Sequence, residues 1–124
     1  MSEVLRFDAS RFVQEAVEDA VLVIDIAAGR CFALDGAAAA LWPSLLAGVQ
    51  REALLRAAEA AFAAPAHEVG STVDAFLTAL VAEGVLVGVA RAVPPRLDAG
   101  RAPFEPPRVK RYDDLQALLR SEED

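Results

Sequence analysis

Residues 20–35 read Ala-Val-Leu-Val-Ile-Asp-Ile-Ala-Ala-Gly-Arg-Cys-Phe-Ala-Leu-Asp, and their pattern decides the fold. The run Val21-Leu22-Val23-Ile24 is short, apolar and β-branched, which predicts a buried strand over Ala20–Ile26. Ala27-Ala28-Gly29 reads as a hairpin turn, with glycine free to take the positive φ that such turns need. Arg30–Leu34 is then the returning strand. Upstream, Phe12–Val17 reads as a partner strand joined to the first by a tight turn at Asp19. Residues 12–34 therefore predict a three-stranded antiparallel meander.

Downstream the period changes from two to 3.6. Asp35 is placed to cap a helix over Gly36–Leu46, with Leu41, Trp42, Leu45 and Leu46 inward. Pro43 lies inside that segment and predicts a kink or break, since an interior proline costs about 3 kcal/mol. Gly48 stops the helix. A second helix is expected over Gln50–Ala63, with Leu54, Leu55, Ala58 and Phe62 on one face. After a loop at 64–67, a third runs from Glu68 or Ser71 to Glu83, with Val73, Phe76, Leu77, Leu80 and Val81 at helical spacing. Gly84 ends it, and Val85–Val89 reads as a short terminal strand. The expected fold class is α+β and winged-helix-like: a three-stranded antiparallel sheet followed by three helices, βββααα.

Alanine supplies much of the 55 % apolar content, and aromatics are only 6 %. The core must rest on a few large side chains: Phe32, Leu34, Leu41, Trp42, Phe62, Phe76, Leu77 and Leu80. With 124 residues there is room for one such core. From Arg91 the character changes. Pro94, Pro95, Pro103, Pro106 and Pro107 exclude a helix or an interior strand and predict an extended segment. Asp113 could cap a short helix bearing Leu115, Leu118 and Leu119. The expected organisation is a domain at 1–90 and a proline-rich tail at 91–124, ending in that helix.

Charge divides the same way. Residues 1–90 hold five Arg and twelve Asp or Glu, a net −7, and residues 91–124 hold seven of each sign. An acidic body repels a phosphate backbone, and Ser71–Glu83 carries no Lys or Arg with which a recognition helix would read DNA. A neutral or basic peptide is the better guest. One His and one Cys give no metal-ligand cluster, and no phosphate-binding glycine motif occurs. Cys31 reads as a buried structural thiol and His67 as a surface or capping residue near a helix start. No catalytic group, metal or cofactor is expected. The start Met-Ser-Glu-Val-Leu-Arg lacks the pattern of a secretory signal, no apolar run is long enough for a membrane span, and the lone cysteine fits the cytoplasm.

Gly29-Arg30-Cys31-Phe32-Ala33-Leu34-Asp35, then Leu41-Trp42, then Gly48, resembles the PqqD-like family of peptide chaperones, the recognition elements of ribosomally made and post-translationally modified peptides. The third helix is similar too: Thr72-Val73-Asp74-Ala75-Phe76-Leu77-Thr78-Ala79-Leu80, then Gly84-Val85-Leu86. Two departures stand out. Thr72 occupies the position of the family's helix-three acid, with Asp74 two places later, and Asp35 occupies that of the strand-ending Asn. The resemblance covers about residues 12–89. It implies a non-catalytic adaptor that takes the leader of a precursor peptide as an added strand. The adaptor would present that leader to a modifying enzyme such as a radical-SAM protein, a cyclase or a leader peptidase.

The implied peptide site is the edge at Arg30, Cys31, Phe32, Ala33 and Leu34, with pockets toward Asp74, Leu77, Thr78 and Val81 on the third helix. Phe104-Glu105-Pro106-Pro107-Arg108-Val109 further resembles the leader motif Tyr-x-x-Pro-x-Leu of lasso-type precursors, through Phe104, Pro107 and Val109. The tail is thus a candidate built-in leader for its own groove, or for a second copy in a tail-exchanged homodimer. Two other readings are a structural or regulatory subunit that docks through its tail and, disfavoured by charge, a winged-helix DNA-binding protein.

Overall fold

The computed structural model describes residues 3–97 and 102–112. The meander forms as three antiparallel strands, β2 (Val13–Val17), β3 (Ala20–Asp25) and β4 (Arg30–Asp35), after a strand the periodicity did not show, β1 (Val4–Phe7). Then follow α1 (Ala38–Ala47), β5 (Val49–Gln50), α2 (Arg51–Ala61), β6 (Phe62–Ala63), α3 (Ala66–Ala82), β7 (Leu86–Gly88), β8 (Ala102–Pro103) and β9 (Arg108–Tyr112).

Among the described residues the architecture is α+β with three helices, as expected for the domain, but the element order is richer than βββααα. The meander is part of a four-stranded antiparallel sheet ordered β2-β3-β4-β9, whose last strand comes from the proline-rich tail. β1 lies between β5 and β7 in a second antiparallel sheet, and β6 pairs with β8 in parallel. The reading of Asp113–Leu119 as a helix lies outside the described residues.

Alternation along β3 and β4 does the packing. Val21, Val23, Phe32 and Leu34 point inward and are buried. They meet Leu41 and Leu45 of α1 and Val73, Phe76, Leu77 and Leu80 of α3 in one hydrophobic cluster. Trp42 ties this core to the first two strands. Its ring stands edge-on to Phe7 at 5.4 Å, and its indole N–H donates to Gln14 Oε1 at 2.9 Å.

Four local expectations change. Leu46 is exposed rather than inward. α1 is one helix through Pro43, with no break. Asp35 does not cap α1: the N-cap residue is Ala37, with no side-chain cap, and Asp35 instead holds Arg108. His67 lies inside the first turn of α3 rather than in a loop before it.

The turn that launches β4 is held by a buried charge. Asp25 is 2 % exposed; it accepts from the Ala28 amide at 3.2 Å and pairs with Arg11 at 3.1 Å. Burial pushes its pKa up, but the Ala28 amide and the Arg11 guanidinium outweigh that and leave the carboxyl below the usual carboxylate value. A depressed pKa contributes stability above the unfolded value of about 3.9, which is lost as pH falls through the folded value. Below about pH 4 the melting temperature should therefore fall more steeply in the wild type than in Asp25→Asn. Parallel curves would show that Asp25 carries no such linkage.

Candidate functional site

The polar edge of β4 is the feature that organises this face of the molecule, and the chain's own tail lies on it. β9 pairs with β4 antiparallel, in the register Cys31↔Tyr112, Phe32↔Arg111, Ala33↔Lys110, Leu34↔Val109 and Asp35↔Arg108. Alternation then assigns the faces. Val109 shares the inward side with Leu34 and packs on the core, while Arg108 shares the outer side with Asp35. Arg108 Nε lies 2.7 Å from Asp35 Oδ1. Arg111, on the inward side, reaches Glu83 at the end of α3, 3.1 Å away.

Upstream of β9 the tail stays in contact. The Ala37 amide donates to the Glu105 carbonyl at 2.8 Å, so a backbone oxygen from the tail sits where a capping side chain was expected. Gly36 has φ +67°, and a Cβ added there would stand 2.2 Å from the Pro106 carbonyl oxygen. The missing side chain lets the two backbones touch. Phe104 meets Phe62 edge-on, with ring centroids 5.2 Å apart. Farther back, the Val93 amide donates to the Gly48 carbonyl at 2.9 Å, and Ser44 holds the Arg96 amide at 2.7 Å.

The sequence-derived site residues divide into two groups. Arg30, Cys31, Phe32, Ala33 and Leu34 form one continuous strand, which the tail makes interior by pairing along what would otherwise be its free edge. Cys31, Phe32 and Leu34 are buried, leaving Arg30 and Ala33 partly exposed. On α3, Leu77 is fully buried and Val81 is half-buried against the core. Asp74 and Thr78 are engaged by Arg51 at the start of α2: Arg51 Nε lies 2.8 Å from Asp74 Oδ1, and its Nη2 donates to Thr78 Oγ1. Arg51 also pairs with Glu3 at 3.0 Å. These two polar residues thus serve a junction between α2, α3 and the residues before β1. Of the tail residues, Pro107 is buried, and Phe104 and Val109 are half-buried against the core.

Asp35, Gly36, Phe62 and Glu83 also belong to this face, and sequence reading did not place them there. Glu83 had a faint signal, as a lone acid beside the glycine that ends a helix; the proximity of Phe62 to Phe104 had none. Burial pushes the Cys31 thiol above its ordinary pKa, so it is not poised as a nucleophile. Among the described residues no group of three His, Cys, Asp or Glu side chains could hold a metal ion, and no helix is long and apolar enough to cross a membrane.

The family model for coenzyme PQQ synthesis protein D (PqqD) matches residues 20–86, from the start of β3 to the start of β7. Comparison with curated proteins gives no match, and comparison with solved structures gives none.

Proposed function

This chain belongs to the PqqD family, and from that premise we propose that it is a non-catalytic adaptor that binds an extended precursor peptide along β4 and presents it to a modifying enzyme. The observation that carries the reading is the β4–β9 ladder: the edge accepts an extended, cationic, proline-preceded segment in antiparallel register. Main-chain pairing of this kind supplies affinity with little dependence on sequence, and neighbouring side chains supply the choice of guest.

Arg30, Cys31, Phe32, Ala33 and Leu34 would present the pairing backbone. At the end of α3 we assign the flanking contact to Val81 and to Glu83, the residue that caps the helix. Leu77 supports them from the core, and any role of Asp74 or Thr78 would compete with their hold on Arg51. The partner enzyme would be a radical-SAM protein, a cyclase or a leader peptidase acting on the presented peptide. Against a DNA-binding role, α3 bears Glu68 and Asp74 and no Lys or Arg.

Backbone chemistry gives a direct test that leaves the protein untouched. Short peptides encoded beside the gene are synthesised with a fluorophore, and binders are remade with N-methyl groups at alternate amides. Each pairing donor removed should weaken binding by about 2- to 10-fold, the worth of one hydrogen bond, while methylation at the intervening amides changes little. Equal binding by both methylated series would exclude strand addition.

A further inference from the structure

The tail's hold on β4 is distributed, and among residues 103–112 only Pro107 is buried. Arg108 and Asp35 keep 67 % and 38 % of their side-chain surface, and Arg111 and Glu83 keep 45 % and 27 %, so these ion pairs add only modest holding strength. Val109 and Phe104 are only half-buried, and β9 is the last strand of its sheet, with one side unpaired among the described residues. Residues 102–112 carry three cations and one anion, against a body of net −7. A segment held this way is bound as a ligand is bound, chiefly by main-chain pairing, with complementary charge as a smaller, selective contribution.

We propose that residues 103–112 are an internal guest: they occupy the β4 edge in the resting chain, and an incoming peptide must displace them and offer its own cation to Asp35. The inference rests on the adaptor reading and adds to it a competitor and a selecting residue. The arithmetic is that of tethered binding. A tether of this kind presents its segment at an effective concentration of about 1 mM, so a tail with an intrinsic Kd of about 100 µM would weaken any competitor by about tenfold.

The test uses the full chain and a fluorescein-labelled synthetic peptide of residues 102–112. In the double variant Arg108→Glu, Val109→Asp the tethered tail loses its fit, while β4, Asp35 and Glu83 are intact. The peptide should bind this variant about tenfold or more tightly than it binds the wild type. Adding Asp35→Arg to the variant should cost about fivefold, and a peptide with Glu at the Arg108 position should recover it. Matching melting curves establish that the variants are folded. Equal affinity in wild type and variant, or no binding to either, overturns the proposal.

The two readings fail separately. If the variant takes the tail peptide but no precursor peptide, the internal guest stands and the adaptor reading falls. If precursor peptides bind wild type and variant equally well, the adaptor reading stands and the competitor is excluded.

Discussion

Replacing Gly36 with alanine will lift the tail from the sheet. The new Cβ would stand 2.2 Å from the Pro106 carbonyl oxygen and 2.9 Å from its carbon, distances that backbone atoms cannot absorb without moving. An alanine at φ +67° also carries strain of about 1–2 kcal/mol. The strain alone would lower stability and leave β9 paired. The collision predicts something more local, since the Glu105 carbonyl loses its place on the Ala37 amide and the β4–β9 ladder is unseated at its first rung. Hydrogen exchange at the amides of 108–112 should accelerate at least about tenfold, while exchange in α3 changes far less. Uniform acceleration across the molecule would mean strain without release. Unchanged exchange at 108–112 would mean that the contact at Gly36 does not hold the tail.

The second large effect concerns Trp42. It is 2 % exposed, stacks edge-on with Phe7 and reaches Gln14, so it joins α1 to β1 and β2 at once. Trp42→Ala should cost about 3–5 kcal/mol, from lost burial and the cavity left behind. That is a large fraction of the roughly 5–15 kcal/mol available to a domain, and should lower the urea midpoint by about 2 M or abolish cooperative unfolding. Trp42→Phe keeps most of the apolar contact and loses the indole donor, so its cost should be nearer about 1 kcal/mol. Similar losses from the two substitutions would show that the hydrogen bond, and not the packing, dominates.

Much of the fold was written in local pattern. Val21-Leu22-Val23-Ile24, the Gly29 turn and the 3.6-residue spacing of Val73, Phe76, Leu77 and Leu80 each depend on neighbours close in sequence. β1 was invisible for the opposite reason. Val4-Leu5-Arg6-Phe7 is only four residues long, and its partners lie at 49–50 and 86–88. Asp35 looked like a helix cap because capping is a local habit of Asp, and nothing local announces Arg108, 73 positions later. The edge at 30–34 was legible as a strand, but its occupant was legible only as a resemblance in the tail. Helical spacing identified Leu77 as interior without showing that Arg51 stands beside Asp74 and Thr78.

The position of β1 between β5 and β7 has a consequence for how the molecule is made. Strands β2, β3 and β4 can zip together as soon as each hairpin leaves the ribosome, because β2 pairs with β3 and β3 with β4. β1 is synthesised before all of them, yet Phe7 finds its partner Leu86 only after nearly the whole helical layer has emerged. During translation the nascent chain thus carries a finished hairpin pair beside an unsatisfied leading strand. β4 in turn waits for β9 until residues 108–112 have been added, and until then its rim is open to any extended chain within reach.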